Sequence, residues 1–229
     1  MTSDDPGSGA PRGRRRAHRP ALLDSSALDS FGEPHLDPAQ IAEIAHETAA
    51  ILVRTGRASE DPQLTERLVR LVDELGLGTV ADLWSAHPAR SLPGALWRLY
   101  VLREWVRRDP VGAGADYAAG VVQADVASVI AGAASPPGPE AMRALADAIL
   151  RGVYDGDVAG AFDRAGAFCR VVAAGRAARE PDEGRPDGHG RSPSPAELSG
   201  RHARSAAAVQ TMGEDLAACA RLWRRGLLA

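Results

Sequence analysis

Five arginines stand within eight residues near the start of the chain: Arg12, Arg14, Arg15, Arg16 and Arg19. Guanidinium groups spaced this closely can neutralise several phosphates of a nucleic acid in a salt-dependent contact, which makes them the candidate phosphate-binding residues. No aromatic side chain is interleaved to stack on a base, and Asp4 and Asp5 oppose the effect, so the run also fits a solvated, solubilising tail. Histidine offers less. His18, His35, His46, His87, His189 and His202 are scattered, none three or four residues from another histidine or a cysteine. Metal ligands converge, usually through at least one short-range pair, and no metal site is expected.

Asp155, Gly156 and Asp157 open like a cation loop, but Ala159 and Ala161 stand where further oxygen ligands are needed. A turn in which Asp157 caps the next helix is the expected structure. Cys169 and Cys219 lie in alanine-rich helical patterns, where a free thiol behaves as a small apolar side chain. The chain has no G-x-S-x-G elbow, no phosphate loop ending in Gly-Lys-Ser or Gly-Lys-Thr, and no G-x-G-x-x-G after a strand. These residues point to no catalytic group and no cofactor, and the expected function is non-enzymatic.

Two groups have the composition of a partner-binding surface. Trp84, Trp97, Tyr100 and Trp105 put most of the aromatic mass into 22 residues of a chain that is 4% aromatic, and most of that mass belongs in a core. Trp105, beside Arg107 and Arg108, has the make-up of an anchor at an interface rim. The second group is a stripe near the end of the chain, from which Val209, Met212, Leu216 and Trp223 are the candidate contacts.

The elements that carry these residues are helical. All 27 basic residues are arginine, and neither lysine nor asparagine occurs, the mark of a high-GC coding sequence in which a single arginine says little about bidentate recognition. The net charge of −3 excludes a whole-protein commitment to nucleic acid or an anionic membrane. No run of about 18 apolar residues exists and no apolar leader follows the basic cluster, so a cytoplasmic protein is expected.

Residues 1–36 lack an apolar stripe and are expected to form a disordered, Arg-rich tail; residues 179–193, rich in Pro, Gly, Asp and Arg, are expected to be a flexible linker. Between them lies a helical body, 37–178, and after them an amphipathic helix, 194–229. Asp37 with Pro38 starts a helix to about Gly56 with Ile41, Ile44, Ala45, Ile51 and Leu52 on its core face. Asp61 with Pro62 starts another, which Gly76 stops. Thr79 caps a short helix through Trp84. Leu92–Arg108 is apolar on most sides and is expected to be central, with Trp97 buried in it. Helices follow over 113–122, 125–131, 140–153 and 158–178, and Ser194, Pro195 and Glu197 cap the last one. No segment alternates as a strand does, and the expected fold is an all-α, irregular multi-helix bundle.

Ala81, Asp82, Leu83 and Ser85, followed by Ser91, Pro93 and Gly94, recur in kind as Ala124, Asp125, Val126 and Ser128, followed by Ser135, Pro137 and Gly138. A pair of helical-hairpin-like repeats would account for this. The segments Leu96–Asp109 and Phe168–Arg176 resemble an uncharacterised group of helical proteins of high-GC actinobacteria, a resemblance that implies a helical fold and no activity. The expected function is a helical module binding a protein partner or itself. The alternative is a nucleic-acid-associated regulator, using the Arg-rich tail and a degenerate helix-turn-helix at 62–86.

Overall fold

The computed structural model describes residues 37–59, 61–132, 138–179 and 195–228. The expected disordered tail at 1–36, nearly all of the linker at 179–193, the Ser194 cap and the loop at Ser135–Pro137 lie outside these residues. Ten helices and no strand are present among the described residues: α1 Pro38–Ala58, α2 Pro62–Val69, α3 Leu71–Leu75, α4 Leu77–Trp84, α5 Leu92–Arg108, α6 Pro110–Val121, α7 Asp125–Ala131, α8 Pro139–Tyr154, α9 Val158–Ala178 and α10 Pro195–Arg224. The fold is all-α.

Short polar side chains start these helices. The carboxylates of Asp61, Asp109 and Asp157 accept from the backbone N–H groups of Gln63, Gly112 and Gly160, each at 2.9 Å, and the Ser91 hydroxyl accepts from Gly94 N–H at 3.2 Å. Each satisfies a first-turn donor that the helix cannot. Asp109 and Pro110 therefore open α6, three residues earlier than the sequence suggests.

The region after Asp61 breaks more often than its apolar pattern predicts. Tyr100 explains the first break, at Arg70: its hydroxyl donates to the Leu68 carbonyl at 2.6 Å and accepts from the Tyr154 hydroxyl at 2.5 Å. A carbonyl held this way is a helix end that side chains satisfy. Gly76, at φ +83°, makes the second break and stands at the N-cap of α4. Thr79 consequently sits inside α4, donating to the Leu75 carbonyl at 2.9 Å, and caps nothing.

Helix α9 lies at the centre, with α6, α7, α8 and α10 packed around it. Its weakly apolar, Ala- and Gly-rich surface is the reason. A β-carbon added at Gly120 of α6 would fall 1.8 Å from the Val171 carbonyl oxygen, and one at Gly175 of α9 would fall 1.7 Å from that of Asp116. Gly166 of α9 and Gly213 of α10 meet almost as closely, their hypothetical β-carbons 2.8 and 2.9 Å from each other's carbonyl oxygens. Helix α5, expected at the centre, forms a second layer against α1, α4, α6, α8 and α10.

Helix α1 turns a different face inward from the one expected. Ala45, Ala49, Val53 and Gly56 are buried, while Ile41, Ile44 and Ile51 are 45%, 40% and 44% exposed. Gly56 lies so near Tyr154 that a β-carbon there would be 2.8 Å from the tyrosine's own, a spacing that admits only small residues. Trp84, 1% exposed and stacked on Tyr100, is the deeply buried tryptophan; Trp97 is half-buried. The two halves of the proposed repeat also pack differently. Helix α4 packs on α5, whereas α7 packs principally on α9, and α8 begins at Gly138 without the side-chain cap that Ser91 gives α5.

Gly175→Ala tests the close crossing. Helix propensity alone would favour alanine by about 1 kcal/mol, but the backbone must shift to admit it, and a net destabilisation of about 1–3 kcal/mol is expected in urea unfolding. Stabilisation would show that the crossing has room. Trp84→Ala is expected to cost about 3–5 kcal/mol and Trp97→Ala distinctly less; the reverse order would put the core on the wrong side of α5.

Candidate functional site

Trp105, Arg107 and Arg108 do not form one surface. Trp105 is half-buried against Phe168, with a guanidinium 4.6 Å above its ring, but that cation is Arg176 of α9. Arg176 is held in turn by Asp116, at 2.7 Å, whose other oxygen accepts from Arg179 at 2.6 Å; Ser205 of α10 accepts from Arg176 at 2.8 Å. Trp105 is thus the edge of a core seam that includes Phe168 and Tyr117. Arg108 pairs with Glu104 one turn back on its own helix at 2.7 Å.

Arg107 belongs to a cluster that the sequence does not reveal. Arg103, 2% exposed, forks onto Asp73 of α3 at 3.0 and 3.1 Å and reaches Asp147 of α8 at 2.6 Å, and Arg107 stands 3.8 and 3.9 Å from the same two carboxylates. Burial works against the Arg103 charge, yet the hydrogen bonds it donates to both aspartates outweigh it and raise its affinity for the proton. With two cations and two anions the cluster is neutral and fully paired, and it clamps α3, α5 and α8 together. Glu66 of α2 and Arg151 of α8 add an ion pair at 2.7 Å.

The terminal helix is also committed inward. Leu216 is completely buried, so it is a core residue and not an available contact; Val209, Met212 and Trp223 are half-buried against the same core. The glycine crossing with α9 places the helix, and ion pairs of Arg90 with Asp215 (2.9 Å) and Arg224 with Asp163 (2.5 Å) flank it. Gly226, at φ +68°, then ends it: the Leu227 and Gly226 N–H groups donate to the Leu222 and Trp223 carbonyls, each at 2.9 Å, and the turn returns Leu228 to the core. Burial pushes the Cys169 thiol up to about 12 and the Cys219 thiol up to about 11, so both stay protonated and unreactive near neutral pH.

Arg12, Arg14, Arg15, Arg16 and Arg19 lie outside the described residues. The segment at 62–86 forms three short helices in place of two. Its last, α4, carries no basic side chain and includes Asp82, which a nucleic-acid phosphate would repel.

Two features escaped the sequence. A cavity of about 310 Å³ is lined by Ala50, Val53, Leu92, Trp223 and Leu228, with His46, Arg54 and Arg57 around it. The other is the outer face of α1, where Ile41, Ile44 and Ile51 follow one another at spacings of one and two turns. Glu47 and Arg54 flank this stripe, and among the described residues neither has an ion-pair partner. The signal was available: three isoleucines on α1 exceed what one buried face can accept once Ala45, Ala49, Val53 and Gly56 fill it.

Among the described residues no group of three His, Cys, Asp or Glu side chains could hold a metal ion, and no helix is long and apolar enough to cross a membrane. No protein family, curated protein or solved structure matches the chain.

The Arg103 cluster predicts an acid limb. Burial alone would raise the Asp73 carboxyl, but the Arg103 hydrogen bonds and the charges of Arg103, Arg107 and Arg70 overcome it and hold it below the ordinary carboxylate value. The unfolded chain takes up that proton first, so the stabilisation is complete above about pH 4 and disappears as the pH falls through the lower folded value. Urea midpoints measured downward from pH 6 should decline below about pH 4, with a shallower decline in Asp73→Asn. Parallel limbs would mean that this carboxylate is not linked to folding.

Proposed function

We propose that the chain is a non-enzymatic helical interaction module, acting in the cytoplasm, whose contact face is the outer surface of α1. One observation carries this reading. Three large β-branched side chains, Ile41, Ile44 and Ile51, stand 40–45% exposed in a row, while the adjoining face of the same helix fills the core with small residues. A scattered exposed apolar residue is ordinary, but a row along one helix face matches the anchor spacing with which a helix receives another helix. Val209, Met212 and Trp223 then support the module from within, and the buried, protonated thiols suit a reducing compartment.

A photoreactive residue at position 44 should give a discrete cross-linked product in cells that make the protein, while the same residue at the exposed Ala118 of α6 gives none. Ile51→Glu, also on the stripe, should remove the product from position 44. Equal labelling at 44 and 118, or labelling indifferent to Ile51→Glu, would sink the proposal.

A further inference from the structure

We infer that the occupant of the α1 face is a second copy of this chain, docked antiparallel, an inference that rests on the interaction-module reading above. The stripe follows the heptad positions of a helix pair: Ile41, Thr48 and Thr55 in one row, Ile44 and Ile51 in the other, with Thr48 half-buried and its hydroxyl accepting from the Trp84 indole at 3.4 Å. On one side it is bounded by the helix's own buried flank, Ala45 and Leu52; on the open side it is bounded by Glu47 and then, one heptad later, Arg54. The arrangement of that open side chooses the partner.

In an antiparallel pair a two-fold axis brings the same flank of each helix together with its direction reversed. When Thr48 of one copy packs against Ile51 of the other, and Ile44 against Thr55, Glu47 of each copy falls beside Arg54 of its mate. Two ion pairs form by symmetry, from residues that pair with no carboxylate or cation among the described residues. A parallel pair would instead set Glu47 against Leu52 and leave both charges unmatched. An unrelated helix could fill the apolar row, but the acidic-then-basic order along one flank is self-complementary without any further assumption. The rows contain two threonines and the flank only one charge of each sign, so the association is reversible and depends on concentration.

Sedimentation of the full chain over a wide concentration range should show a monomer passing to a dimer. Glu47→Arg and Arg54→Glu should each weaken dimerisation at least tenfold, and the double variant, with the two charges exchanged, should restore it; circular dichroism confirms that each is folded. A chain that stays monomeric throughout, or a double variant no better than the singles, would overturn the inference. Mass spectrometry of the position-44 cross-link reads the occupant directly. A product joining two α1 segments supports the second copy. A product with a different protein, or with residues 1–36 of the same chain, overturns it; the former leaves the interaction module standing, whereas absence of any product removes both.

Discussion

Everything in this fold is arranged around the depth to which α9 sinks among its neighbours. Carbonyl oxygens of α6 and α9 occupy the positions that β-carbons of Gly175 and Gly120 would take, and Gly166 and Gly213 repeat the contact on the α10 side. Helices that approach so closely lose a row of side chains from the interface, and with it apolar area, but they gain dense backbone packing and dispersion contacts. The larger side chains form their own clusters: Phe168 meets Tyr117 and Trp105, and Leu216 and Cys219 are completely buried in the core.

The charges complete what the crossings begin. Arg176 lies over Trp105 and ties α9 to α6 through Asp116, so the aromatic seam is closed by a cation that is itself paired. Arg103 does the same between α3 and α8. A buried guanidinium is costly to desolvate, and losing one partner of such a pair typically costs about 3–5 kcal/mol, because the other charge is left behind. The planar fork reaching two carboxylates on different helices therefore restricts how α3, α5 and α8 can sit, whatever it adds to total stability. The Tyr154–Tyr100–Leu68 chain makes a comparable three-way link between α8, α5 and α2, through neutral groups.

The sequence showed the ends of the helices better than their faces. Asp61 and Asp157 act through local hydrogen bonds two or three residues away, which a linear reading can see. Which face of α1 points inward depends on Tyr154, about a hundred residues on, and periodicity ranks faces by hydrophobicity where close packing here selects by size; it therefore favoured Ile41 and Ile44 over Ala49 and Gly56. The burial of Arg103 is not legible in the sequence because its partners, Asp73 and Asp147, belong to other elements. The expected grouping of Trp105 with Arg107 and Arg108 is replaced by Arg176 over the Trp105 ring, a cation 71 residues further along the chain. Of the candidate contacts on the terminal helix, Leu216 is completely buried, and Val209, Met212 and Trp223 are half-buried against the core.

The same preference for small residues leads from fold to function. Where α1 lies against Tyr154 a β-carbon is excluded at Gly56, and its buried face is otherwise Ala45, Ala49 and Val53 with Leu52 half-buried beside them, while the three isoleucines face outward. Outward isoleucines carry a solvation cost, about 25 cal/mol for each Å² of apolar surface left in water, and folding of the monomer would be served equally well by alanine or a polar residue at those positions. Ile41, Ile44 and Ile51 therefore leave an apolar row on the exposed side of α1, bounded by Glu47 and Arg54. The close crossings and the outward isoleucines are therefore two consequences of one sequence choice: small residues where α1 meets the body, and large ones left on its exposed side.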